Sequence, residues 1–176
     1  MKRLTRFLIV TAALFVVAFF FIFSVDLKSL MIFFFSSVLL VGYITYKDKV
    51  GQELIIAFLF AFALTAYFVY EYTTPNLMFG RINLFPLISW TFGLVLLREI
   101  YERVNRKNRF LIVSLLYLAL LFLVEYAGYY LLGFRLNSSF PSLLNIGVIH
   151  APLGIKIFYV FAGPVYLLIT DYLKVK

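Results

Sequence analysis

The run FLIVSLLYLALLFLVEYAGYYLL, Phe110 to Leu132, is long enough to cross a bilayer as a helix, yet it carries a carboxylate, Glu125, near its far end. A span needs about 20 mainly apolar residues for a hydrocarbon core of roughly 30 Å. Five further runs stand between charged punctuation, at about Phe7–Phe23, Leu30–Tyr46, Leu54–Tyr72, Leu84–Tyr101 and Pro152–Tyr172. Stretches such as LIVTAALFVVAFFFIF lack the polar–apolar alternation of a membrane barrel, so the runs read as helices. The first is longer than a usual signal-peptide core, and FFFIFSVD after it offers no small-x-small cleavage site, which makes it a retained span.

Composition agrees with this reading. The chain of 176 residues is 64% hydrophobic, and its mean hydropathy is +1.01, where soluble domains are roughly 45–50% apolar. The expectation is an all-α, polytopic membrane helical bundle of six transmembrane helices, multi-pass in the cell membrane with lipid around it. A net charge of +8 could suit nucleic acid, but the basic residues lie in short clusters between apolar runs, as topology signals do. Nucleic acid is therefore excluded as a partner. Cysteine is absent and histidine occurs once, so thiolate chemistry is excluded and neither a metal site nor a cofactor is expected.

Counting Lys and Arg on alternate sides of six spans gives 12 against 3, with Lys156 inside the last span. By the positive-inside rule the N- and C-termini are cytoplasmic, and the loops holding Arg81 and Arg135 face outward. Arg98, Glu99, Glu102, Arg103 and Asp171 read as solvated helix ends, and KDKVGQE, with Asp48 and Glu53, as a hydrophilic turn.

An internal repeat accounts for the carboxylate. FVYEYTTPNLMFGRIN, Phe68 to Asn83, matches FLVEYAGYYLLGFRLN, Phe122 to Asn137, at a constant offset. Phe68, Glu71, Tyr72, Leu77, Arg81 and Asn83 recur as Phe122, Glu125, Tyr126, Leu131, Arg135 and Asn137. The Glu-Tyr and Arg-x-Asn matches carry the argument, because polar residues are scarce here. Each copy is followed by a Pro-Leu pair opening the next helix, Pro86-Leu87 or Pro152-Leu153. The helix pairs, about 54–84 and 110–153 onward, run in the same direction, a parallel repeat. The chain thus divides, within one transmembrane domain, into a two-helix addition (1–50), repeat one (54–104) and repeat two (108–172).

At helical rise Glu71 would lie about 25 Å and Glu125 about 22 Å from the inner start of its helix. An ionised carboxylate at that depth is costly unless it is paired, neutral or wet. Both acids are therefore expected to line one outward-facing polar cavity and to pair with cations among Arg81, Arg135, Lys156 and His150. Desolvated acids beside tyrosine rings suit protonation of an alkene, with the carbocation stabilised by carboxylate and aromatic faces. Glu71 and Glu125 are the candidate catalytic residues. Tyr72, Tyr126, Arg81, Arg135, Asn83, Asn137, Trp90, His150 and Lys156 are the candidate substrate-binding residues. A purely structural role, with Glu-Arg pairs pinning the outer loops, accounts for the same pattern. The loop SSFPSLLNIGVIHA is expected to lie in the membrane interface or to fold over the cavity as a lid.

Glu71 with Phe79-Gly80 and Phe85-Pro86-Leu87-Ile88-Ser89-Trp90, and Glu125 with Gly128, Gly133 and Pro152-Leu153, resemble the small integral-membrane carotenoid proteins. These are the lycopene cyclase domain family and the bacterioruberin-type carotenoid hydratases. The resemblance covers about residues 60–172 and implies acid-catalysed chemistry on a carotenoid or other isoprenoid. The lycopene cyclase pattern Pro-x-Glu-Glu is replaced here by Pro86-Leu87-Ile88-Ser89 and Pro152-Leu153-Gly154-Ile155, which implies a non-cyclising relative. The span count and inferred topology also resemble the substrate-binding subunits of vitamin-uptake transporters. A membrane transport component and a structural membrane subunit holding lipid, as an oligomer or with a partner subunit, are the two alternatives.

Overall fold

The computed structural model describes residues 26–173, and for 47–49 the backbone alone. The expected first span, Phe7–Phe23, and Lys174 and Lys176 lie outside the described residues. Within them are five helices long and apolar enough to cross a membrane. They are α1 (Leu27–Thr45), α2 (Lys47–Tyr67), α3 (Leu84–Arg103), α4 (Arg109–Tyr126) and α5 (Leu153–Tyr172). A short antiparallel hairpin, β1 (Met78–Phe79) and β2 (Ile82–Asn83), precedes α3.

Local chemistry moves the first two helices from their expected bounds. Asp26 caps α1 by accepting from the backbone N–H of Lys28 and Ser29 at 3.0 and 3.2 Å, so α1 begins at Leu27 rather than Leu30. Only Tyr46 separates α1 from α2, and KDKVGQE, read as a turn, is the opening of α2. At its other end α2 stops at Tyr67, because the β-favouring run Phe68-Val69-Tyr70-Glu71-Tyr72-Thr73-Thr74 leads into Pro75. Glu53 is thereby carried into the helical bundle and Glu71 out of the helix.

Helix α4 widens into a π-helical turn, Ala127–Leu131, and is ended by Gly133 at φ +69. The Phe134 N–H returns to the Gly128 carbonyl there, at 2.8 Å. Helix α3 touches each of the other four helices and is the hub of the bundle. One buried cluster, with Leu94, Leu97, Tyr101, Val113, Tyr117, Tyr166 and Leu167, fills the half toward Arg98. A second, with Leu64, Tyr70, Val148, Ile149, Ala151, Ile155 and Tyr159, fills the hairpin half. Helices α4 and α5 meet closely where Gly163 faces the Tyr117 ring: a Cβ at Gly163 would stand 2.7 Å from it.

The 138–151 loop folds inward, with Val148, Ile149 and Ala151 buried in the second cluster. Leu144, Asn145 and Ile149 hold positive φ values of 49°, 60° and 53°. For a β-branched residue such as Ile149 this is a strained conformation, held by its packing. Exposed Leu111, Leu115, Leu123 and Val124 give α4 an apolar outer face, suited to lipid.

Candidate functional site

Three polar assemblies occupy the bundle, two at the hairpin end and one at the Arg98 end. The first is a scaffold under the hairpin. Buried Asn83 accepts from the Phe85 N–H at 3.0 Å as the α3 cap, and its amide donates to the Tyr70 carbonyl at 2.7 Å and to Asn76 Oδ1 at 2.9 Å. Asn76 Oδ1 also accepts from Lys28 Nζ at 3.3 Å, and Lys28 donates to the Thr74 carbonyl at 3.0 Å and sits 4.7 Å from the Tyr72 ring centroid. Lys28 is buried, so these contacts fasten α1 to the loop after α2. Asn83 thus has a structural task that satisfies its side chain.

The loops of the two sequence copies meet through backbone. Tyr72 and Leu136 form an antiparallel bridge, with Thr73 N–H donating to the Arg135 carbonyl and Asn137 N–H to the Glu71 carbonyl, each at 2.8 Å. The Glu-Tyr segment of one copy therefore lies along the Arg-x-Asn segment of the other. The partner segments differ: Arg81-Ile82-Asn83 closes the hairpin, and Glu125-Tyr126 ends α4. Matching residues in the sequence consequently hold different conformations.

The acids separate accordingly. Glu71 is exposed on extended chain, whereas Glu125 is half-buried on α4. Among the described residues neither carboxylate forms an ion pair, contrary to the expected pairing with Arg81, Arg135, Lys156 or His150. The cause is placement. Lys156 Nζ turns to the Ser142 carbonyl at 3.2 Å, and Arg135 Nε to the Tyr129 carbonyl at 3.4 Å, on segments that do not bring either cation to a carboxylate. Glu125 instead lies within electrostatic reach of Tyr70, Tyr72, Tyr117 and Tyr159.

These tyrosines are tied together. The Tyr70 and Tyr159 hydroxyls share a hydrogen bond at 3.0 Å, and Tyr117 donates to the Tyr159 carbonyl. Trp90 packs edge-on to Tyr159 at 4.7 Å, and Phe85 to Tyr72 at 5.8 Å. Burial pushes the Tyr70 and Tyr72 hydroxyls far above their ordinary range. They stay protonated, so they can donate but cannot supply a phenolate.

The second assembly at this end is cationic. His150 stacks on Tyr129, with ring centroids 3.9 Å apart and planes 16° apart, and the Arg135 guanidinium lies 5.0 Å from the same ring. Burial first, then the charges of Lys156 and Arg135, hold His150 below its ordinary range. Tyr126 is exposed and packs on Tyr130, while Arg81 and Asn137 are exposed on their loops. The structure thus brings Glu125, Tyr72 and Trp90 into one neighbourhood and Arg135, His150 and Lys156 into another. It leaves Glu71, Arg81, Tyr126 and Asn137 outside both.

At the opposite end Arg98 is buried and bonds Asp171 at 2.7 Å, with Glu102 at 3.4 Å and Glu53 at 3.7 Å. The Tyr101 hydroxyl donates to Asp171 at 2.5 Å and that of Tyr166 to the Glu53 carbonyl at 3.3 Å. The solvated-end reading holds for Arg103 with Glu99, an exposed i,i+4 pair at 3.2 Å, but fails for Arg98. Its helical phase points it at α2 and α5, which no charge count along the sequence reveals. Lys28, Asn76, Tyr70 and Tyr159 were likewise missed. Only the two asparagines flanking the hairpin, Asn76 and Asn83, hinted at a network there.

Comparison of the chain with protein-family models, curated proteins and solved structures finds no match.

Proposed function

We propose that this protein is a multi-pass protein of the cell membrane that performs acid chemistry on a carotenoid or other isoprenoid, with Glu125 as proton donor. The supporting observation is the setting of Glu125: a half-buried carboxyl that forms no ion pair among the described residues and lies within electrostatic reach of the linked tyrosines Tyr70 and Tyr159. Protonating an alkene needs a carboxyl that keeps its proton, and desolvation without a cationic partner favours that form. The carbocation produced needs negative charge and aromatic faces, which the carboxylate left behind and the rings of Tyr72, Tyr159 and Trp90 supply. A long polyene is already dissolved in the lipid around α4. The termini are cytoplasmic and the hairpin end faces outward, following the Lys and Arg bias. Absence of the paired acids of the lycopene cyclase pattern favours addition of water over ring closure.

Glu71 takes no part in this reading, since its side chain is exposed on extended chain rather than desolvated in the bundle. Expression in a host making acyclic carotenoids, followed by chromatography of the pigments, tests the assignment. Wild type should shift the pigment profile, and Glu125→Gln, which keeps the shape and loses the proton, should lower the rate by about 10²–10⁴-fold. Glu71→Gln should stay near wild type. Equal losses from both variants, or no pigment change with well-folded wild type across carotenoid, prenyl-quinone and polyprenyl substrates, would remove this reading.

A further inference from the structure

Arg135, His150 and Lys156 are three basic residues from three segments with no acid among them. Lys156 is 8% exposed, and among the described residues the Ser142 carbonyl engages one donor of its ammonium and leaves the others unused. Arg135 spends Nε on the Tyr129 carbonyl, and among the described residues its terminal nitrogens have no partner at the exposed rim. His150 lies over Tyr129 close enough to both cations to feel their charge. The nearest acids of the hairpin end, Glu71 and Glu125, form no ion pair with any of them. Gathering like charges in a weakly polar site is unfavourable unless a counter-charge joins them. The α5 N-terminus adds to the positive field, because Pro152 provides no side-chain cap and the first N–H groups stay open.

The geometry points to a binding site for a phosphate monoester group, held by Lys156 and Arg135 with His150 as an additional donor. A carboxylate would offer one negative charge to the two basic side chains, whereas a monoester carries about −1.5 to −2 at neutral pH. Its several acceptor oxygens match a guanidinium fork and an ammonium approaching from different segments. Leu131, Leu144, Ile146 and Leu153 nearby along the chain are exposed and apolar, so a phosphate on a hydrocarbon tail has a surface for the tail. This site is independent of the acid reading at Glu125 and goes beyond it.

The test uses the full chain purified in a non-ionic detergent, with binding measured by native mass spectrometry and by melting temperature. The probes are dodecyl phosphate, inorganic phosphate and, as tail control, dodecanol. Dodecyl phosphate should bind and raise the melting temperature, and dodecanol should do neither. If inorganic phosphate binds as well as dodecyl phosphate, the site takes free phosphate; if far more weakly, it takes a lipid-borne group. Lys156→Met and Arg135→Gln should each weaken dodecyl phosphate binding at least tenfold. Ligand-free Lys156→Met should melt no lower than wild type, because it removes an uncompensated charge, whereas loss of a structural contact would lower it. Glu125→Gln should bind dodecyl phosphate as wild type does. Equal binding of dodecanol, no binding of either phosphate, or unchanged affinity in both cation variants would overturn the proposal.

Discussion

Replacing Arg98 with methionine tests the network that ties α2, α3 and α5 together at the end opposite the hairpin. Arg98 is 5% exposed, and its guanidinium serves the carboxylates of Asp171, Glu102 and Glu53, of which Glu53 is fully buried. Methionine fills much of the volume of the arginine stem, so the loss reports compensation of charge rather than a cavity. Asp171 and Glu102 are partly exposed and regain water, and Asp171 keeps Tyr101 and Arg109. Glu53 cannot regain water. Breaking a buried pair by removing one partner costs about 3–5 kcal/mol, and the partial exposure of the other acids places this case near 3. At about 2–4 °C per kcal/mol for a chain of this size, the melting temperature should fall by roughly 6–12 °C. The assay is thermal unfolding in detergent, followed by fluorescence of Trp90, the single tryptophan. Glu53→Gln alone should cost less, because Arg98 keeps Asp171 and Glu102. Added to Arg98→Met it should recover about 0.5–3 kcal/mol, since the buried carboxylate that lost its guanidinium neighbour no longer carries charge. A melting temperature for Arg98→Met within about 2 °C of wild type, or strictly additive losses in the double variant, would refute the reasoning.

Two further outcomes follow from packing and topology. Gly163→Ala sets a Cβ 2.7 Å from the Tyr117 ring, and overpacking of this kind costs about 1–3 kcal/mol; thermal unfolding should show the loss, and Tyr117→Leu in the same chain should recover much of it, whereas an undiminished melting temperature would contradict the close approach of α4 and α5. Because the chain lacks cysteine, Ser138→Cys should react with a membrane-impermeant maleimide in intact cells and Asn105→Cys only after lysis; the reverse pattern overturns the orientation.

Hydropathy alone determined that the described chain forms long apolar helices, because a run such as Phe110–Leu132 in lipid must bond its own backbone groups. It also located α3, α4 and α5 closely, since Asn83, Pro86, Gly133 and Pro152 are strong local signals. The start of α2 was not legible, because charged KDKVGQE carries no apolar signal of a span, and only the fold brings Glu53 beside Arg98. The end of α2 was misplaced because apolar content cannot distinguish a helix from the extended run after Tyr67. Repeated letters promised two equivalent acids, yet Glu71 and Glu125 occupy different backbone conformations. Only tertiary structure decided which residues meet: helix phase and the Tyr72–Leu136 bridge set Glu125 among tyrosines and gathered Arg135, His150 and Lys156. Local propensity and hydropathy act along the chain, whereas the pairing of charges depends on distances between segments far apart in it.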